Sequence, residues 1–142
     1  MLDLSVTSPQ IVVVPPNDLR AWIAAEPYIA KAVAVSKDVT LEDTRTQYAN
    51  GQVGLVLCLD EGQQVVGALV VERMQYPRRT FLMVHFFGAR EHSEDLWMEH
   101  YWPQLRQFAK GAECEAIVAT GRPGWARKLK CGTDRRIFEW EL

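Results

Sequence analysis

Two side chains in the middle of the chain have the right chemistry for proton transfer. Glu72 lies near the end of one expected strand and His85 lies within the next. A carboxylate or an imidazole placed there suits a general base that takes a proton from an amine, directly or through water. Each also fits a plainer role, Glu72 as a solvent-facing strand residue and His85 as a half-buried histidine. A second group is the junction Phe86-Phe87-Gly88-Ala89-Arg90-Glu91-His92-Ser93, where a strand hands over to a helix. Backbone N–H groups at such a junction attract anions, while Glu91, Glu94 and Asp95 bring negative charge to the same place. The third is the basic run Arg122, Arg127, Lys128, Lys130, Arg135 and Arg136, offset only by Asp134. It suits phosphate groups, nucleic acid or an acidic protein surface, and equally a solvated helix face.

Other chemistries find little support. His92 and His100 share no ligand spacing with each other or with a carboxylate set, so no metal site is expected. The chain has 3 cysteines, Cys58, Cys114 and Cys131, and none forms a C-x-x-C pair. Cys58 and Cys114 lie in apolar runs and read as small core residues of a reducing compartment; Cys131 stands beside a helix stop and is the more accessible. Five tryptophans are many for this length, and such aromatics are more often core than ligand box. Trp97 and Trp102 cannot share the helix face of Leu105 and Phe108 unless Pro103 changes the register, so at least one is expected at the surface.

The elements that must position these groups follow from periodicity and punctuation. At 142 residues the chain fits one domain, 1–142, and a formal net charge of −2 gives no global reason to expect nucleic acid or membrane as partner. The opening residues Met-Leu-Asp-Leu-Ser-Val-Thr-Ser carry neither a basic nor an apolar targeting region, and no apolar run approaches the ~18 residues of a membrane span, so a cytoplasmic location is expected. Gln10–Val14 is a β-branched run closed by Pro15-Pro16, an edge or end strand. Asn17 or Asp18 caps a helix with Leu19, Trp22, Ile23, Ile29 and Val33 as its apolar face, and Pro27 is expected to split it in two. Thr40 and Asp43 approximate a capping box for a helix that stops near Asn50-Gly51.

A meander comes next. Val53 to Leu59 and Gln64 to Met74 are strands joined at Asp60-Glu61-Gly62, and Thr80 to Phe87 follows the turn at Tyr76–Arg79. Phe81, Met83, His85 and Phe87 would share one face, with Leu82, Val84 and Phe86 on the other, which makes this strand central and covered on both sides. Ser93 caps a helix with core residues Leu96, Tyr101, Leu105, Phe108 and Ala109, and Pro103 kinks or restarts it. After the stop at Gly111 come a strand at Ala116–Thr120, a short helix at Pro123–Lys130 stopped by Gly132, and a last strand at Arg136–Leu142. Phe138 and Trp140 on that strand offer an edge for pairing with a second copy. The fold class is α/β (α+β), a mixed, mostly antiparallel sheet with helices on both faces, in the order β-α-α-β-β-β-α-β-α-β.

This order, together with Ala109 and Lys110-Gly111 at the end of the third helix and Gly132 at the end of the fourth, resembles the GNAT superfamily of N-acetyltransferases over essentially the whole chain. The segment Gly121-Arg122-Pro123-Gly124-Trp125 is similar to a subset of GNAT-like proteins encoded by tailed bacteriophages. The resemblance implies acetyl-CoA as cofactor, held at Phe86, Phe87, Gly88, Ala89, Arg90 and Arg122, with Glu72 and His85 as separate catalytic candidates and a small amine or a protein amino group as acceptor. It places the acyl group between the strands Thr80–Phe87 and Ala116–Thr120, its thioester carbonyl polarised by a backbone N–H near Phe87. The family's cofactor loop reads Arg/Gln-x-x-Gly-x-Gly/Ala, and here only Gly88 and Ala89 fit it. The positions of the family's usual tyrosine and asparagine in the fourth helix fall on Lys128 and Gly121. An inactive protein of the same fold is the alternative, a virion component or adaptor acting through protein contacts, a homodimer or nucleic acid held by the 122–136 segment. An open cleft at 88–93 would favour the enzyme, and a cleft plugged by Phe87 or Trp125 the adaptor.

Overall fold

The structure is a computed structural model and describes residues 8–119. Among these residues five strands form one sheet in the order β1-β2-β3-β4-β5: β1 (Gln10–Val14), β2 (Gly54–Leu59), β3 (Val65–Tyr76), β4 (Arg79–Ala89) and β5 (Ala116–Ala119). The first four are antiparallel neighbours, and β5 runs parallel to β4. Helices α1 (Leu19–Val33) and α2 (Leu41–Ala49) join β1 to β2. A third helical stretch, α3 (94–111), carries the chain from β4 to β5. The expected mixed, mostly antiparallel sheet is present, and the expected helix and strand after β5, with Arg122, Trp125, Cys131 and Trp140, lie outside the described residues.

Two cores explain the apolar runs of the strands. On one face Leu55, Leu57, Ala68 and Val70 pack under α1 and α2, against Trp22, Ala25, Ile29, Val33 and Tyr48. On the other, Val56, Cys58, Leu69, Val71, Leu82 and Val84 meet Trp97, Tyr101, Leu105 and Ala109 of α3. The central strands are covered on both sides, so they need apolar residues at every position rather than at alternate ones.

Helix α1 is continuous, contrary to the expected break at Pro27. Pro27 lies on the exposed face, and the bond it cannot make belongs to the carbonyl of Ile23, which is itself exposed and open to water. Buried Ala25 and Ile29 on either side of Pro27 hold the two halves on the sheet. The expected apolar face is partly corrected: Trp22, Ile29 and Val33 are buried, but Leu19 and Ile23 face outward, and Ala21 and Ala25 take the inner positions. Asp18 is the cap, its carboxylate accepting from the Ala21 N–H at 3.1 Å. The capping box of α2 is complete, Thr40 and Asp43 exchanging hydrogen bonds of 3.1 and 2.9 Å.

In α3, Glu94–Leu96 leads into a π-helical turn, Trp97–Tyr101, and then Trp102–Gly111. Pro103 has no N–H to give and would collide with the carbonyl four residues back, and the wider turn before it relieves both problems. The added residue restores the register, so Trp97 is buried and Trp102 half-buried, their rings 6.2 Å apart. Neither is a surface tryptophan, which corrects the expectation that one would be. The helix stops at Gly111, with Cys114 N–H donating to Ala109 O (2.9 Å) and Glu113 N–H to Lys110 O (3.0 Å). The left-handed position of this motif is Glu113, at φ 61°, not the nearby glycine. No helix among the described residues is long and apolar enough to cross a membrane.

Candidate functional site

An irregularity in β4 positions His85. The β3–β4 ladder pairs Val70 with Phe86 and then Val71 with Val84, so His85 is an extra residue on β4. Such a bulge shifts the alternation of side chains by one. Leu82 and Val84 pack on the α3 side, but beyond His85 it is Phe87 that joins them, while Phe86 turns to the α1 side. The expected faces of this strand therefore hold only up to the bulge.

The bulge also brings the two sequence-predicted catalytic residues together. Glu72 pairs with Met83 across the ladder, and its Oε1 lies 2.9 Å from Nε2 of His85. Both side chains are about one-third exposed, 35% for His85 and 36% for Glu72. An ionised carboxylate only accepts, so Nε2 carries the hydrogen of this contact, and in the neutral imidazole the lone pair is then on Nδ1. An exposed pair of this kind adds little to stability. Its chemical meaning is larger, because a carboxylate that fixes one imidazole nitrogen orients the other as a base.

A second feature lies where β4 leaves the sheet. An open depression of about 260 Å³ is lined by Phe87, Ala89, Arg90, Glu91, His92, Ser93 and Trp97. Arg90 N–H donates to Val66 O at 2.8 Å, which extends the ladder by one bond, and its guanidinium lies 3.9 Å from the Asp60 carboxylate. His92, at φ 59°, turns the chain. Ser93 takes the capping position through its carbonyl, which accepts from Trp97 N–H at 3.0 Å, while its hydroxyl donates back to the Arg90 carbonyl. The indole of Trp97 is buried against Phe87, with centroids 4.5 Å apart, and its Nε1–H has no hydrogen-bond partner.

Of the predicted cofactor residues, Phe87, Ala89 and Arg90 line this depression and Phe86 and Gly88 do not. Gly88 has a packing reason to be glycine. A Cβ there would fall on the carbonyl oxygen of Tyr28 in α1 and 2.7 Å from its carbon. Arg122 lies outside the described residues. Glu91, His92 and Ser93 of the predicted junction also line it, and Trp97, which lies outside that junction, was findable as the residue one helical turn after the cap Ser93.

Between the two features runs the edge of β4. The parallel ladder with β5 pairs Phe81–Val84 with Ala116–Ala119. Among the described residues its last pair, Val84 with Ala119, lies one residue before the bulge. About 13 Å of strand separates His85 from Ala89. No group of three His, Cys, Asp or Glu among the described residues could hold a metal ion. Burial pushes the Cys58 thiol up to about 12, so it is an inert core residue. Burial likewise raises the Tyr101 phenol to about 12, with Cys58 and Asp60 adding to the shift, and its hydroxyl is spent on the Leu59 carbonyl at 2.8 Å.

No protein-family model matches the chain, and no curated protein matches it in sequence. Solved structures do. An aminoglycoside acetyltransferase from an uncultured soil metagenomic sample superposes with a TM-score of 0.70 at 12% identity, covering 94% of this chain and 95% of that one. A GNAT family acetyltransferase of Staphylococcus aureus gives 0.62 at 12% identity, with 96% and 100% covered. The aminoglycoside 6'-N-acetyltransferase AAC(6')-Ih of Acinetobacter baumannii gives 0.61 at 13%, with 95% and 98% covered. At such identities the likeness speaks for architecture alone, and the architecture of this chain is the mixed α+β fold of the GNAT acetyltransferases.

Proposed function

We propose that the protein is an acyl-CoA-dependent N-acyltransferase with an altered cofactor loop. The observation that carries this reading is the hydrogen-bonded Glu72–His85 pair at the β4 bulge. The depression fits a phosphate-bearing group. It offers the Arg90 cation, and it lies before a helix N-terminus. The β4 backbone near Phe87 would hold the thioester carbonyl, and Arg122 is a further candidate for the phosphates.

Acyl-CoA, when bound, supplies an acyl carbon on a thiol leaving group that an amine can displace. Glu72 keeps Nε2 of His85 protonated, and Nδ1 takes the proton that the amine nitrogen must lose. The resulting imidazolium is stabilised by the same carboxylate, 2.9 Å away. Acetyl-CoA is the acyl donor proposed, the acceptor being a small amine or a protein amino group.

The test is thiol release from acetyl-CoA in the presence of amines. His85→Ala is expected to lower kcat by about 10²–10⁴-fold, and Glu72→Gln to lower it less. Equal rates for wild type and His85→Ala would remove His85 from the chemistry. The competing reading, an inactive phage virion protein or adaptor of the same fold, draws on Glu91 in the wall of the depression and the missing second loop glycine. It expects no thiol release with any amine.

A further inference from the structure

We infer that the acceptor is a monoamine carried on an apolar, aromatic body, and that polycationic acceptors are excluded; this rests on the acyltransferase reading above. The sheet face that holds the pair continues along both strands toward the β3–β4 hairpin. Met74 and Met83 flank the pair on that face, both half-buried. Phe81 follows on β4, packed edge-on by Tyr76 at 5.4 Å and capped by the Arg79 guanidinium at 4.9 Å from its ring centre. Tyr76 is exposed at the far end. The run from His85 to Phe81 covers about 13 Å of strand.

Each part selects something. Thioethers are soft and adaptable, and they pack well against aromatic rings, so Met74 and Met83 suit a flat apolar group. Of the described sheet residues on this face Glu72 is the one carboxylate, and it faces the amine end. Arg79 brings a positive charge to the opposite end. One ammonium beside Glu72 is favoured, whereas further ammonium groups along the shelf meet apolar side chains and then a guanidinium, with no second carboxylate among the described sheet residues of this face. An aminoglycoside carries such a set of ammonium groups and lacks the apolar body.

The test compares three acceptors with acetyl-CoA and the full chain: 2-phenylethylamine, ethanolamine and sisomicin. The expected result is a kcat/KM for phenylethylamine at least tenfold above both others. Met83→Gln and, separately, Met74→Gln should lose most of that preference, through KM. Sisomicin equal to or better than phenylethylamine would overturn the inference and leave acyl transfer standing. Ethanolamine equal to phenylethylamine would do the same. A second readout follows the methionine methyl resonances by NMR without acyl donor. Phenylethylamine should shift those of Met74 and Met83 and leave Met98, which packs against the core under α3, in place. Unmoved Met74 and Met83 signals would overturn the shelf. Shifted signals with no thiol release from any amine would keep the shelf and sink the acyltransferase reading.

Discussion

Replacing Gly88 by alanine separates a packing role from a ligand role at this position. The added Cβ would sit on the Tyr28 carbonyl oxygen, 2.7 Å from its carbon and 3.1 Å from its Cα. These are backbone atoms of a helix, so no rotamer change relieves the contact. Carbon atoms pack at ~3.5 Å or more and the carbonyl oxygen lies nearer still, so α1 must retreat by about 1 Å. Such a gap forfeits part of the contact that Trp22, Ala25 and Ile29 make with the sheet. Overpacking of this kind costs about 1–3 kcal/mol, partly offset by the ~0.5–1 kcal/mol gained when a strand glycine becomes alanine. The net expectation is a loss of about 1–2 kcal/mol, or ~2–8 °C in Tm for a domain of this size. Thermal melts followed by circular dichroism check it, with Gly54→Ala as control. A Cβ at Gly54 would meet Val71 atoms at 3.5 and 3.7 Å, ordinary contact distances, so that variant keeps the strand-alanine gain and should melt at or up to about 4 °C above wild type. Gly88→Ala melting with the control would refute the close approach of α1 to β4 and return Gly88 to the cofactor loop.

Three further outcomes are expected. Tyr48 donates to Pro15 O and accepts from Asp18 N–H, both at 2.8 Å, so Tyr48→Phe should cost about 1–3 kcal/mol in urea unfolding by leaving both groups unpaired. Glu113→Gly should raise stability by about 1 kcal/mol, because Glu113 holds the left-handed position of the α3 stop; an unchanged urea midpoint would contradict that geometry. Cys58 should resist iodoacetamide at pH 8 in the native protein and react once unfolded, read by mass spectrometry. Its folded pKa of about 12 stands above an ordinary value of 9.0, so its share of stability is full below pH 9 and is lost as pH rises toward 12.

The architecture was legible because its signals are local. β-Branched and apolar runs, the Thr40/Asp43 box, the Asp60–Gly62 turn and the stop at Gly111 each act within a few residues, and each marks an observed boundary. What stayed hidden depends on contacts between distant segments. Nothing in the spacing of Thr80 to Phe87 announces the extra residue at His85, because a bulge is set by how β3 pairs with β4. Glu72 and His85 were named separately, yet their contact is visible only once that register is known. Pro27 was read as a break because the sequence does not show that it lies on the outer face of α1. Gly88 matched a loop pattern, and only the approach of Tyr28 reveals its second reason. Left-handed Gln63 and Glu113 each sit one or two residues after a glycine, so reading glycine as the turn residue placed the bend early.

Binding of acetyl-CoA followed by turnover tests the central claim most directly. Calorimetric titration of acetyl-CoA into wild-type protein and His85→Ala at low salt, with ATP as control, is paired with thiol release on the same samples. The account predicts micromolar acetyl-CoA binding to both proteins, none of comparable strength for ATP, and amine-dependent thiol release by the wild type alone. No heat with millimolar acetyl-CoA, and no release with any amine, would contradict it.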